Sequence, residues 1–170
     1  PDYRKKNFFS LTNPLPDFFW TGNTKMACVR SVVLETKTNA YAHHIQRLMV
    51  IGNLSILLGL NPNAVQAWFW VVYADAYEWV HLPNVYGMGI FADGGLLASK
   101  PYLSSGSYIN KMSNYCKNCV YNVKKKVGPD ACPFNFSYWS FLDARRSLLM
   151  DHPRMGLMFR ILAGLDPDKV

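Results

Sequence analysis

Every cysteine in the chain falls into one arrangement, with Cys28 upstream and Cys116, Cys119 and Cys132 close together downstream. Cys116-Lys117-Asn118-Cys119 places two thiols within a single turn, and after twelve intervening residues Cys132-Pro133 supplies a third. With Cys28 brought in by the fold, four thiolates can close a cage. Such a cage suits tetrahedral zinc or a cubane iron–sulfur cluster, and spacing alone leaves the two even. Either reading implies a thiol-reducing setting for assembly rather than a disulfide scaffold. Charge is the second chemical feature. Lys124-Lys125-Lys126 lies between Cys119 and Cys132, and the chain carries a net charge of +7. That balance favours an anionic partner such as nucleic acid, against the plainer reading of a solvated basic surface. Lys100, Lys111, Lys117, Arg145 and Arg146 are further candidates for phosphate contacts.

These residues must be positioned by a packed fold. The chain has 170 residues, 50% hydrophobic and 15% aromatic, which excludes a disordered tail and provides for one sizeable core. The most apolar run, over 48–60, is short and interrupted by Gly52, Asn53 and Gly59, so no membrane-spanning helix is expected. No signal peptide is expected. The chain opens on Pro1 rather than Met, as a part of a longer protein would.

Residues 1–24 read as an irregular arm anchored by aromatics. A short helix over 24–34 carries Cys28. Asn39 is expected to cap a long helix over 40–59, ending at a glycine, with Gly52 as the small member of its apolar stripe. Asn61-Pro62-Asn63 starts the next helix, over 64–80, and Leu82-Pro83-Asn84 ends it. Residues 84–106 are rich in glycine and read as a long loop, able to approach a ligand closely or simply to cross the surface. Short helices are expected over 107–115 and 136–149, the second amphipathic. No strand alternation appears, so the fold class is all-α.

Several longer stretches run in order along the chain. They are Phe19-Trp20-Thr21-Gly22, Tyr41-Ala42-His43-His44-Ile45-Gln46-Arg47-Leu48-Met49, Tyr73-Ala74-Asp75-Ala76-Tyr77-Glu78-Trp79-Val80 and Leu82-Pro83-Asn84-Val85. Phe91-Ala92-Asp93-Gly94-Gly95 and Ala98-Ser99-Lys100-Pro101-Tyr102 come after them, and then the cysteine segment. Together they closely resemble the iron–sulfur branch of the cryptochrome/photolyase family, the prokaryotic (6-4) photolyases and related bacterial cryptochromes, over nearly the whole chain. The resemblance implies a single domain over 1–170, the C-terminal half of the FAD-binding helical domain with a four-cysteine metal site. The N-terminal antenna domain and the first flavin-domain helices are expected to be absent. Because family members wrap FAD with both halves, the flavin site is expected to be incomplete in this chain.

The resemblance also implies roles. Cys28, Cys116, Cys119 and Cys132 match the family's [4Fe-4S] ligands, with zinc as the alternative. His43 and His44 match paired histidines beside a DNA lesion, where a histidine can donate a proton near neutral pH. Adjacent residues on a helix point about 100° apart, so the two cannot face one atom equally. The plainer reading is a pair of surface histidines. Trp20 and Trp68 resemble electron-transfer aromatics, although Trp20, Trp68, Trp70 and Trp79 also read as core. Phe69 beside Trp68 has no ionisable hydroxyl for charge hopping. Asp75, Glu78, Asn84, Met88 and Lys100 fall where the family lines its flavin and lesion pocket. His81 stands where an acidic residue is expected beside the flavin ring, and Tyr102 and Tyr108 resemble lesion-side tyrosines.

Two functions are expected from this. The first is FAD-dependent, light-driven repair of DNA or blue-light sensing, in the cytoplasm, as a (6-4) photolyase-type lyase where active. The second is a non-catalytic iron–sulfur module in a nucleic-acid-bound assembly such as an organellar, mitochondrial ribosome, contacting RNA. The partners expected are nucleic acid, together with the absent N-terminal half or other subunits, and no membrane.

Overall fold

A computed structural model describes residues 2–164. Pro1, where the expected arm over 1–24 begins, lies outside the described residues. Short helices dominate: α1 (Phe18–Thr21), α2 (Ala27–Asn39), α3 (Asn53–Leu57), α4 (Pro62–Val72), α5 (Glu78–Leu82), α6 (Gly106–Met112), α7 (Pro133–Ala144), α8 (Arg146–Leu149) and α9 (Gly156–Ala163). Two π-helical segments, Gln46–Gly52 and Pro83–Gly89, lead into α3 and continue α5 respectively. Single turns of 3₁₀ helix occupy Tyr3–Lys5 and Tyr115–Asn118. Pairing between extended segments is confined, among the described residues, to isolated bridges at Asn13–Leu60 and Asn122–Ala131. The all-α reading is therefore correct.

The helices form where their apolar residues share a face. On α2, Val29, Val32, Val33 and Thr36 are buried at helical spacing, with Cys28 at the same end of the stripe. Asn61 caps α4 by accepting the Asn63 N–H at 2.9 Å, and Pro62 takes the first position, where its missing N–H costs nothing. The core runs from Phe9, Phe19 and the valines of α2 through Ile51, Leu54 and Trp68 to Phe134, Leu142 and Leu149.

Several expected boundaries move, each for a physical reason. Asn39 does not cap a helix starting at Ala40. It ends α2, and Ala40 adopts a left-handed conformation (φ 50°), its N–H donating to the Thr36 carbonyl at 2.8 Å. The next helical turns begin only at His44. The expected single helix over 64–80 is two: α4 stops at Val72, and the chain turns through Asp75 before α5. Leu82-Pro83-Asn84 does not end α5. Pro83 enters a π turn, and the Asn84 side-chain amide donates to the Val80 carbonyl at 2.7 Å. The long loop is thereby shortened to the stretch after Gly89. The helix expected over 136–149 begins earlier, at Pro133, and breaks at Arg145, and α9 adds a helix beyond those expected.

The two π segments press against each other. A Cβ on Gly52 would lie 2.8 Å from the Gly89 carbonyl oxygen, so the apolar stripe needs glycine there because another backbone crosses it. The loop after Gly89 is held by the N-terminal arm: the Tyr3 hydroxyl donates to Asp93 Oδ2 at 2.8 Å, and the Phe8 N–H donates to the Ala92 carbonyl at 3.0 Å.

Candidate functional site

The crossing of the π segments sets one wall of a cavity of about 260 Å³. His44, Arg47 and Leu48 reach it from the first π segment and its lead-in, Asp75 from the turn after α4, and His81, Asn84 and Gly89 from α5 and the second π segment. Arg47 organises this site. Its Nη1 donates to Asp75 Oδ1 at 2.8 Å and its Nε–H to the Ala42 carbonyl at 2.7 Å. The guanidinium lies 4.0 Å from the centre of the Tyr73 ring and 5.2 Å from that of Tyr41. The Arg47 guanidinium holds the Asp75 carboxyl below the usual carboxylate range. The cavity therefore presents a fixed ion pair on an aromatic bed.

Opposite it stands His81, only 6% exposed, its ring tilted against Phe69 with centroids 5.8 Å apart. Burial pushes its pKa below the ordinary histidine value, so the ring is neutral at pH 7. Its Nε2 is buried and has no hydrogen-bond partner within the protein. An unpaired buried nitrogen is costly unless a ligand or water completes it.

The fold thus brings five of the residues singled out from the sequence, His44, Phe69, Asp75, His81 and Asn84, to one cavity, and leaves the others elsewhere. His43 lines a different groove, beside Tyr108 and Met112, and its Nδ1 accepts the Ile45 N–H at 3.2 Å. The two histidines diverge because His43 precedes the helix and His44 is its first residue. Glu78 pairs with Arg4 on the N-terminal arm. Met88 is half-buried on the second π segment, Lys100 is exposed, and Tyr102 packs against the core. Trp68 is fully buried, donating its Nε1–H to the Phe19 carbonyl at 3.0 Å, whereas Trp20 is 47% exposed. Phe19, Trp68 and Phe69 make edge-on contacts with centroids 5.3 Å apart, a line of aromatic rings leading inward to the cavity wall.

The four cysteines meet at a second, small and mainly apolar cavity. Cys28 comes from the first turn of α2, Cys116 from the 3₁₀ turn, Cys119 from the residue after it, and Cys132 from the cap of α7. Burial and the neighbouring Cys132 sulfur push the Cys28 thiol up to about 12. Burial likewise raises Cys116 and Cys132. These raised values favour the protonated thiols of Cys28, Cys116 and Cys132, and a bound cation would oppose that shift. Among the described residues, no three or more His, Cys, Asp or Glu side chains gather tightly enough to hold a single metal ion.

Two organising residues carry no mark of their own in the sequence. Arg47 stands in the middle of a quoted motif, but nothing about its neighbours in sequence singles it out; only the return of Tyr73 and Asp75 from α4 reveals its role. Gln46 ties the groove that holds His43 to the cysteine end. Its Oε1 accepts the His43 N–H at 2.7 Å, while its Nε2 donates to Glu35 Oε2 at 3.0 Å and to the Tyr115 hydroxyl at 2.8 Å, one residue from Cys116. The spacing of His43 and Gln46 is that of a capping box, and this was the available signal.

Comparison with known proteins gives the same direction. No family profile matches the chain. The sequence is 52% identical over 168 residues to a (6-4) photolyase of Agrobacterium fabrum, covering 99% of this chain and 33% of that protein. It is 42% identical over 93 residues to an uncharacterised protein of Acanthamoeba polyphaga mimivirus, covering 55% of this chain and 72% of that one. The chain thus spans a third of the length of the photolyase it matches.

Proposed function

The chain belongs to the photolyase/cryptochrome family, and from that premise we propose that it forms one wall of a flavin site used for light-driven repair of DNA or for blue-light sensing. The observation that carries this reading is the meeting of His44, the Arg47–Asp75 pair and the unpartnered Nε2 of His81 at one cavity. These groups fit a planar, polar-edged ligand: the ion pair offers charge complementarity, His81 one in-plane hydrogen bond, and Phe69 an apolar edge. FAD would supply a light-absorbing electron carrier. The residues of this chain do the rest. Arg47 and Asp75 orient the ligand and neutralise each other in its absence. His81, neutral, completes a bond at its edge. His44, exposed at the rim, is placed to hold or give a proton to a substrate lying over the cavity.

The four cysteines would hold a [4Fe-4S] cluster. An all-thiol donor set drawn to one cavity suits both a cubane and zinc, and the resemblance of the cysteine segment to the iron–sulfur branch favours the cubane. Its contribution is read as structural, tying the start of α2 to the 3₁₀ turn and α7. No helix among the described residues is long and apolar enough to cross a membrane.

An anaerobic absorption spectrum of the purified protein, with iron, sulfide, zinc and flavin assays, tests both readings. A broad visible charge-transfer band with about four irons and four sulfides, together with flavin peaks, is the expected result. The cluster with no flavin, even on adding FAD, would overturn the flavin site and favour a structural iron–sulfur module. Zinc alone would remove the cluster.

A further inference from the structure

The lysine run beside the cysteines does not behave as a uniform solvated face. Its middle member is neutralised, with Lys125 Nζ lying 2.6 Å from Asp130 Oδ2. Its outer members, Lys124 and Lys126, both line a recess of about 360 Å³, and among the described residues neither forms an ion pair. Trp139 of α7, with Ser107 and Asn110 of α6, lines the same recess, and no acidic side chain does. Trp139 is half-buried, with the Tyr138 ring edge-on to it at 5.0 Å.

The recess is built rather than incidental. Asn135, buried at the start of α7, donates from Nδ2 to the Val123 carbonyl at 2.9 Å and to the Lys125 carbonyl at 2.8 Å. Its Oδ1 accepts the Gly106 N–H at 3.0 Å. The Lys124 N–H donates to Asn122 Oδ1 at 2.9 Å. One buried amide therefore fixes the lysine loop against α6, so two unpaired cations and one aromatic ring face one space. The loop lies between Cys119 and Cys132, so whatever the cysteines hold also sets its ends. The recess shares no lining residue with the His44–His81 cavity.

We propose that this recess is a binding site for single-stranded nucleic acid, with backbone phosphates on Lys124 and Lys126 and one unpaired base on Trp139. Two unpaired cations in a space without acids select a polyanion, and an aromatic face beside them selects one that carries planar bases free to stack. A duplex satisfies the lysines but not the tryptophan. The site goes beyond the flavin reading and needs neither flavin nor a lesion.

Fluorescence anisotropy of a labelled, undamaged single-stranded oligonucleotide, titrated in the dark with the full chain over a range of salt, tests it. The double variant Lys124→Gln/Lys126→Gln is expected to lower the slope of log affinity against log salt by about 1.4, two phosphate contacts on a single strand. Lys125→Gln is expected to change that slope by less than half as much. Trp139→Leu is expected to weaken single-strand binding about tenfold at unchanged slope, Trp139→Phe to recover most of it, and duplex binding to be indifferent to both. A slope change for Lys125→Gln of half the double variant's or more, as loss of any one lysine gives under general charge, would overturn the site. An unchanged single-strand affinity in Trp139→Leu would also overturn it. Because Lys124 and Lys126 are exposed, the double variant keeps the test decisive should the tryptophan variants not fold.

Discussion

The cysteine end and the Arg47–His81 cavity solve opposite problems. At the cysteine end all four donors are of one kind, and the surrounding polar groups are already paired: Asn135 spends its side-chain amide on three backbone groups, and Asn122 accepts from both Lys124 and Cys132. That region has little left to offer except its sulfurs, and little to hold it together without something between them. In the cavity the donors are mixed, the ion pair is complete within the protein, and one buried nitrogen remains unpaired. On the proposed cluster reading, the first region is shaped by what it binds. The second is shaped in advance and is left one bond short. A bound group is therefore expected to act as a staple in the first and as a guest in the second.

Removing a sulfur should separate the two most strongly. Cys132→Ser is expected to cost more than about 4 kcal/mol in chemical denaturation, as loss of a structural metal does, and to abolish iron retention. Retained stability would mean that the cysteine end stands without a staple. Next comes Arg47→Met, which leaves Asp75 without its partner and takes a cation off Tyr73. It should cost about 2 kcal/mol and weaken added FAD at least tenfold while leaving iron content unchanged. A parallel loss of iron would show that the regions are not separable.

Gln46→Ala tests how far the cysteine end leans on the neighbouring His43 groove. It frees the His43 N–H and the Tyr115 hydroxyl, for an expected loss of about 1 kcal/mol. Iron release to a chelator should quicken in this variant, because Tyr115 adjoins Cys116. The smallest effect is that of pH on His81. Burial lowers its folded pKa below the unfolded value, so its contribution is fully present above pH 6.5 and is lost as pH falls through the folded pKa. Wild-type stability should therefore decline between pH 7 and 5 by a margin that His81→Gln removes. An identical pH profile for the variant would mean that His81 is not held neutral by burial.

What could be read from the chain divides along the same line. The gathering of the cysteines at one cavity was legible because three of the four lie within a short stretch and their type and spacing suit a shared site. The start of α4 was legible because Asn61-Pro62 is a local signal that the fold has no reason to override. Asn39 misled because asparagine suits both a helix start and a helix end, and the left-handed turn at Ala40 decided for the end. Pro83 misled because proline is a stop signal only where the lost N–H cannot be replaced; here a wider turn and the Asn84 amide take over. The π windings left no separate trace, since their apolar residues also fit ordinary helical spacing. Arg47 was hidden for a different reason: its partners, Tyr73 and Asp75, are more than twenty-five residues away, and only the return of the chain after α4 joins them.

The contact of Gly52 with Gly89 has a consequence for how this molecule can change over time. A π turn is an α-helix that has taken in one extra residue without breaking. Either segment has already absorbed its extra residue, so inserting another would rotate the chain on one side of the insertion by about 100° relative to the chain on the other. His44 and Arg47, or His81, would then swing away from the cavity with their identities intact. Aim here is stored in the tally of residues as much as in their kinds. A lineage can exchange exposed side chains outside the cavity freely, but a further residue is closed to it wherever the two backbones meet.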